Sequence, residues 1–146
     1  MSAAMQTATM QTDAAIFKRL QAYVGMDYVP GQFDCADLAV LVQREVFGRV
    51  VHLPTHPQGT ATQRAAILRH RDALATRVDV PFTGCAVLFN ATNQKGDVVW
   101  HIGTGALHKG EVWVLHNSYE TGGVRTDRLQ DLLRWGMALE GYYAWN

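Results

Sequence analysis

Three runs decide the fold: Cys85-Ala86-Val87-Leu88-Phe89-Asn90, Val98-Val99-Trp100-His101-Ile102-Gly103-Thr104 and Glu111-Val112-Trp113-Val114-Leu115-His116. Each is short, rich in Val, Trp, Ile or Phe, and followed by a turn containing Gly or Asn, so each predicts a β-strand. Their close spacing predicts antiparallel pairing. Outward toward the C-terminus, Val124 to Thr126 predicts a short further strand, Asp127 to Trp135 a short helix, and Gly141 to Trp145 a last strand.

The N-terminal half has a different period. Asp13 to Val24 predicts a helix capped by Asp13, with Ile16, Phe17, Leu20 and Val24 at helical spacing and Gly25 just past its end. Met26 to Gln32 is a turn broken by Pro30-Gly31. A second helix starts at Asp34 or Cys35. Its apolar face is Cys35, Leu38, Ala39, Val42 and Val46, and Gly48 ends it. Asp34 stands at the N-cap, and Asp37 completes an imperfect capping box with Asp in place of Glu. Val50 to Gly59 is a loop with Pro54 and Pro57, and a third helix is expected over Thr62 to Ala75. Helices first and antiparallel strands second predict an α+β fold, with N-terminal helices packed on a C-terminal antiparallel sheet. Residues 1–12 are small and polar and predict a flexible lead-in. Residues 13–146 form one domain.

The bulk numbers narrow the function classes. A chain of 146 residues with 48 % hydrophobic and 18 % charged residues can bury a core. Thirteen basic side chains balance thirteen acidic ones, so no nucleic-acid footprint or polybasic membrane patch is expected. The one basic cluster, Arg64, Arg69, His70, Arg71 and Arg77, reads as a solvated helix face. No apolar run reaches the roughly 20 residues that cross a bilayer. The N-terminus lacks the basic and apolar segments of a signal peptide. Two cysteines, Cys35 and Cys85, do not make a disulfide framework.

Cys35 falls in the first turn of the second helix. Helix dipole and free backbone N–H groups there favour a thiolate and could also hold an oxyanion. A free cysteine is also often a small buried hydrophobe, so position alone leaves both readings open. Six histidines compete as its base. His52 and His56 have the spacing of a metal pair, but the prolines oppose a helix that would align them, and no third ligand is near. His70 belongs to the basic face, and His108 precedes the Lys109-Gly110 turn and reads as solvated. That leaves His101 and His116 on neighbouring strands of one hairpin, where one imidazole can hold the other and fix its tautomer. Asn117 is a rival orienter, on the opposite face of a regular strand.

These residues resemble the NlpC-type cell-wall cysteine peptidases from about Tyr23 to Trp145. Tyr28-Val29-Pro30-Gly31 and Phe33-Asp34-Cys35-Ala36-Asp37-Leu38 are similar to that family's Tyr-Val-x-Gly-Gly stretch and Asp-Cys-Ser-Gly-Leu motif. Gly84 to Phe89 resembles its Gly-Asp-Leu-Val-Phe-Phe strand, with Cys85 where the Asp stands. His101-Ile102-Gly103 resembles its His-Val-Gly, and Leu115-His116-Asn117 the strand bearing the third polar residue. Gly123-Val124-Arg125 and Gly141-Tyr142-Tyr143 also fit.

The resemblance implies a reduced papain-like fold and cleavage of an amide in peptidoglycan stem peptides through an acyl-enzyme. Cys35 would be nucleophile, His101 base and His116 its orienter. Tyr28, Asp34 and Asp37 would lie at the substrate site, and no metal or organic cofactor is expected. Ala36-Asp37 stands where the family has Ser-Gly, and a carboxylate beside the thiol opposes thiolate formation unless it turns away or caps the helix. Cys85 reads as structural. The closing segment Leu133 to Tyr143 looks most like members from phage and prophage tails. Synthesis in the cytoplasm and action in the periplasm or cell wall, carried by a phage tail or secretion apparatus, is therefore expected. Two alternatives stand beside this reading: an inert tail-tip plug or binding subunit, and a papain-like amidase or acyltransferase with another substrate.

Overall fold

The computed structural model describes residues 3–53, 73–92 and 96–146, and side chains from residue 12 onward. Among the described residues the fold is α+β. Its elements in chain order are α1 (Ala3–Gln21), α2 (Cys35–Phe47), β1 (Ala75–Val78), β2 (Ala86–Thr92), β3 (Val98–His108), β4 (Glu111–Ser118), β5 (Gly123–Arg128), α3 (Leu129–Arg134) and β6 (Ala138–Trp145). The strands form one antiparallel sheet in the order β1-β6-β2-β3-β4-β5.

Period-2 alternation divides the core into two layers. Ala86, Leu88, Trp100, Ile102, Ala106 and Leu115 point to one face, where Cys35, Ala36, Leu38, Ala39 and Val42 of α2 and Leu20 of α1 cover them. Val87, Phe89 and Val114 point to the other face, against Leu132 of α3. Cys85, fully buried beside them, is part of that packing. Neither cysteine is in a disulfide.

Local signals explain the frame. Asp34 and Asp37 make the full capping box: each carboxylate accepts the other's backbone N–H, at 3.0 and 3.1 Å. Gly48 closes α2 in the left-handed conformation, its N–H bonded to Gln43 O. Lys109 and Gly110 both take positive φ, which gives the tight β3–β4 turn a twist matching the strands.

Four expectations are corrected. Helix α1 begins at Ala3, not Asp13, so Asp13 lies inside the helix and caps nothing; Ala3-Ala4-Met5-Gln6 contains no breaker. The helix expected over 62–75 lies outside the described residues up to 72, and Ala75 opens edge strand β1. His108 is half-buried, stacked on Phe17 at 4.0 Å between ring centroids, because the long hairpin carries it over α1. His56, His70 and the arginines at 64, 69 and 71 also lie outside the described residues. Arg77 is on β1, not on a helix face, and pairs with Glu140.

Candidate active site

The site grows from a break in the sheet. β3 pairs with β2 along Val98 to Thr104, but with β4 only from Gly103↔His116 toward the turn. Beyond that pair, Asn117 and Ser118 pair with β5 alone. N–H directions alternate along an antiparallel strand. Gly105 donates to Cys85 O on the β2 side, so the N–H of Ile102 faces the open β4 side. The sulfur of Cys35 takes it. The thiol thus replaces the ladder acceptor that β4 no longer supplies. Asn117 Nδ2 donates to Phe33 O at 3.2 Å and holds the segment entering α2 in the same opening. Asn117 therefore faces α2, away from His116, as strand alternation predicts.

The histidines leave the sheet on the other face. His101 lies diagonally across from His116, and His101 Nε2 sits 2.9 Å from His116 Nδ1 with the rings nearly perpendicular. The contact continues inward: His116 Nε2 is 2.8 Å from Asp127 Oδ2, and Arg125 donates to Asp127 Oδ1 at 2.8 Å. His116 is fully buried, and His101 and Asp127 nearly so. Arg125 is half-exposed and lies over the Trp135 ring.

Sequence reasoning missed Asp127 by placing it at the start of a helix. The strand runs on to Arg128, and the signal was there: Arg125 and Asp127 are two apart, so they share a face.

Burial sets the charge states. The Cys35 thiol is pushed up to about 12, chiefly by burial and further by Asp34 and Asp37, while the N–H groups of Ile102 and Ala36 pull it down. His101 is held down to about 3, by burial and then by His116. Asp34 is raised to about 7, by burial first and then by its hydrogen bond with Asp37. Asp127 is held below the usual carboxylate range: burial opposes this, but His116 and Arg125 outweigh it.

Of the six residues singled out from the sequence, His101 and His116 are in direct contact. Cys35 joins β3 through Ile102, the residue after His101. Tyr28 sits edge-on to Tyr119, and its hydroxyl is raised by burial and then by Cys35, which places it near the thiol. Both carboxylates of Asp34 and Asp37 are engaged in the helix cap. Asp37 therefore turns back toward Asp34 N–H, though it still adds to the thiol's shift.

A pocket of about 520 Å³, open solvent included, lies beside Cys35 on the α2 face. Leu88, Trp100, Ile102, Tyr143 and Trp145 line it with almost wholly apolar surface. Among the described residues, no cluster of three or more His, Cys, Asp or Glu could hold a metal ion. No described helix is long and apolar enough to cross a membrane. Comparison with protein-family models, curated proteins and solved structures finds no match to this chain.

Proposed function

We propose that the protein is a cysteine hydrolase of reduced papain-like fold that cleaves amide bonds in peptidoglycan stem peptides. The observation that carries this reading is the contact between two buried strand histidines, with a helix-terminal thiol accepting the N–H of Ile102, the residue after one of them. In the mechanism, His101 takes the thiol proton as Cys35 attacks the carbonyl carbon. The oxyanion is held by backbone N–H groups at the start of α2, the amine leaves with the proton from His101, and water then releases the acyl group from sulfur. The resemblance around Tyr28, Cys35, His101 and His116 supports the wall peptide as substrate. The likeness of the closing segment to phage-tail members supports a tail or secretion apparatus as carrier, which detection in purified virions tests.

The pocket beside the thiol presents apolar atoms, so the part of the substrate it receives is aliphatic or aromatic. Mass spectrometry of products from intact and digested peptidoglycan, run beside simple apolar acyl esters, separates a wall peptidase from an amidase or acyltransferase with another substrate. Cys35→Ala is expected to abolish turnover of peptidoglycan fragments and keep the fold; unchanged product formation ends the claim.

One observation favours a second reading, an inert binding subunit: the thiol is only 7 % exposed and carries a raised pKa. Alkylation separates the two. An inert Cys35 reacts with iodoacetamide no faster than a free thiol and is indifferent to His101→Ala.

A further inference from the structure

We propose that Asp127, held by Arg125, is the positioning residue that makes His101 a base at Nδ1. This rests on the hydrolase reading above, but the proton placement it asserts belongs to the folded protein with or without turnover.

The argument follows the hydrogen bonds inward from the surface. A carboxylate only accepts. Asp127 is held ionised by its two partners, so His116 must carry a proton on Nε2, 2.8 Å from Asp127 Oδ2. Carrying that proton alone, His116 presents a bare Nδ1. Among the described residues, the group bonded to it is His101 Nε2 at 2.9 Å, which must donate. His101 is neutral, so its single proton is on Nε2 and its Nδ1 carries a lone pair. Two histidines without the carboxylate could settle in either direction; the carboxylate breaks the tie.

Asp127 also matters when charge forms. As the Sγ–H bond breaks and the Nδ1–H bond forms, the imidazole pair gains one positive charge. The His101 Nε2 proton can pass to His116 Nδ1, leaving that charge on His116 against the Asp127 carboxylate. Among the described residues, no other charged group bonds into this row. On β5, Arg125 is tied to the outer oxygen of Asp127. Behind it, Arg128 is engaged with Asp131 and Glu111.

Arg125 makes the idea sharply testable. In Asp127→Asn, Arg125 still donates to the outer position and so draws the amide oxygen there. The amide NH2 then faces His116 Nε2 and donates to it. Every proton in the row reverses, and His101 carries its hydrogen on Nδ1. Removing Arg125 as well frees the amide to turn its oxygen inward and restores the original direction.

The test is histidine 15N NMR with kinetics on the full chain. In the wild type, His101 is expected to be protonated at Nε2 and bare at Nδ1, and reversed in Asp127→Asn. That variant is expected to lose at least about 100-fold in kcat with KM little changed, the behaviour of a triad whose orienting carboxylate is neutralised. Arg125→Ala in the Asp127→Asn background is expected to recover tenfold or more. A merely structural Asp127 gives no such rescue, since a second lost hydrogen bond only adds damage. Wild-type His101 protonated on Nδ1 overturns the proposal even if no variant folds, as does turnover by Asp127→Asn within a few-fold of wild type. Should Cys35→Ala remain active, the hydrolase reading fails, and the NMR result alone judges the proton order.

Discussion

Gly103→Ala is the substitution that should separate the two histidines without touching either. Gly103 is the last β3 residue paired with β4, and its partner is His116. A Cβ there would collide with Val114 Cγ1 and lie 3.0 Å from Leu115 O and 3.3 Å from His116 Cβ. None of these can yield cheaply. Val114 is β-branched and fully buried against the α3 layer, and Leu115 O is backbone. Overpacking of this kind costs about 1–3 kcal/mol, offset by about 0.4–1 kcal/mol from the stiffer unfolded chain. A net loss of about 1–2 kcal/mol lowers the urea midpoint by about 0.5–1 M at a slope of about 2 kcal/mol/M. If relief comes by β4 moving out, the 2.9 Å His101–His116 bond lengthens and turnover falls with it. Val114→Ala removes the colliding methyl, so the double variant should be less destabilised than the sum of the singles, with a coupling of about 1 kcal/mol or more. An unchanged midpoint, or strict additivity, refutes the reasoning.

Other expectations follow from the same geometry. A Cβ at Gly105 would sit 2.7 Å from Cys85 Sγ and 3.1 Å from Val87 Cγ2, so Gly105→Ala should lower Tm by about 2–4 °C per kcal/mol lost. In a Cys85→Ala background that loss should shrink, and Cys85→Ala alone should leave turnover unchanged; equal losses in both backgrounds would remove the contact as cause. Stability against pH carries two slopes of opposite sign. Asp34 rises from 3.8 to about 7 on folding, so the folded state binds its proton more tightly and stability falls between about pH 4 and 7. His101 falls from 6.5 to about 3, so the unfolded state binds that proton and stability rises between about pH 3 and 6.5. Relative to wild type, Asp34→Asn, which keeps a good N-cap, should gain stability steadily from pH 4 to 7 in urea titrations, and His101→Gln should lose it. Difference curves that are flat, or of the same sign, would reject these charge states.

Much of the frame is legible because the relevant residues act locally. Asp34, Asp37 and Gly48 mark both ends of α2 by their own hydrogen bonds and φ. Lys109-Gly110 fixes the hairpin that brings His101 and His116 onto one face, so strand alternation alone pairs them and turns Asn117 away. What is lost depends on distant partners. Edge strand β1, Ala75-Thr76-Arg77-Val78, has no apolar run and exists through its ladder with β6. Asp127 has an ordinary helix-start look in sequence, yet β5 continues through it because β4 offers Val114 and Trp113 as partners for Asp127 and Arg128. The break between β3 and β4 leaves no local trace either. It arises where Cys35 takes the backbone N–H of Ile102 that strand pairing would use.

That break bears on how the thiol works. The first turn of α2 and the N–H of Ile102 favour the thiolate, but burial and the Asp34–Asp37 pair outweigh them, and the imidazole of His101 resists charge just as firmly. A buried thiol and a buried imidazole that both resist ionisation rest as neutral groups, not as a preformed ion pair. Proton transfer then has to accompany attack, when the sulfur's charge passes at once to an oxyanion beside the helix N-terminus and the positive charge has a row of groups leading to Asp127. A resting ion pair needs no such row, because its cation would sit against the thiolate. A neutral pair needs both ends of it, which is the physical reason for a buried carboxylate two residues from the arginine that holds it.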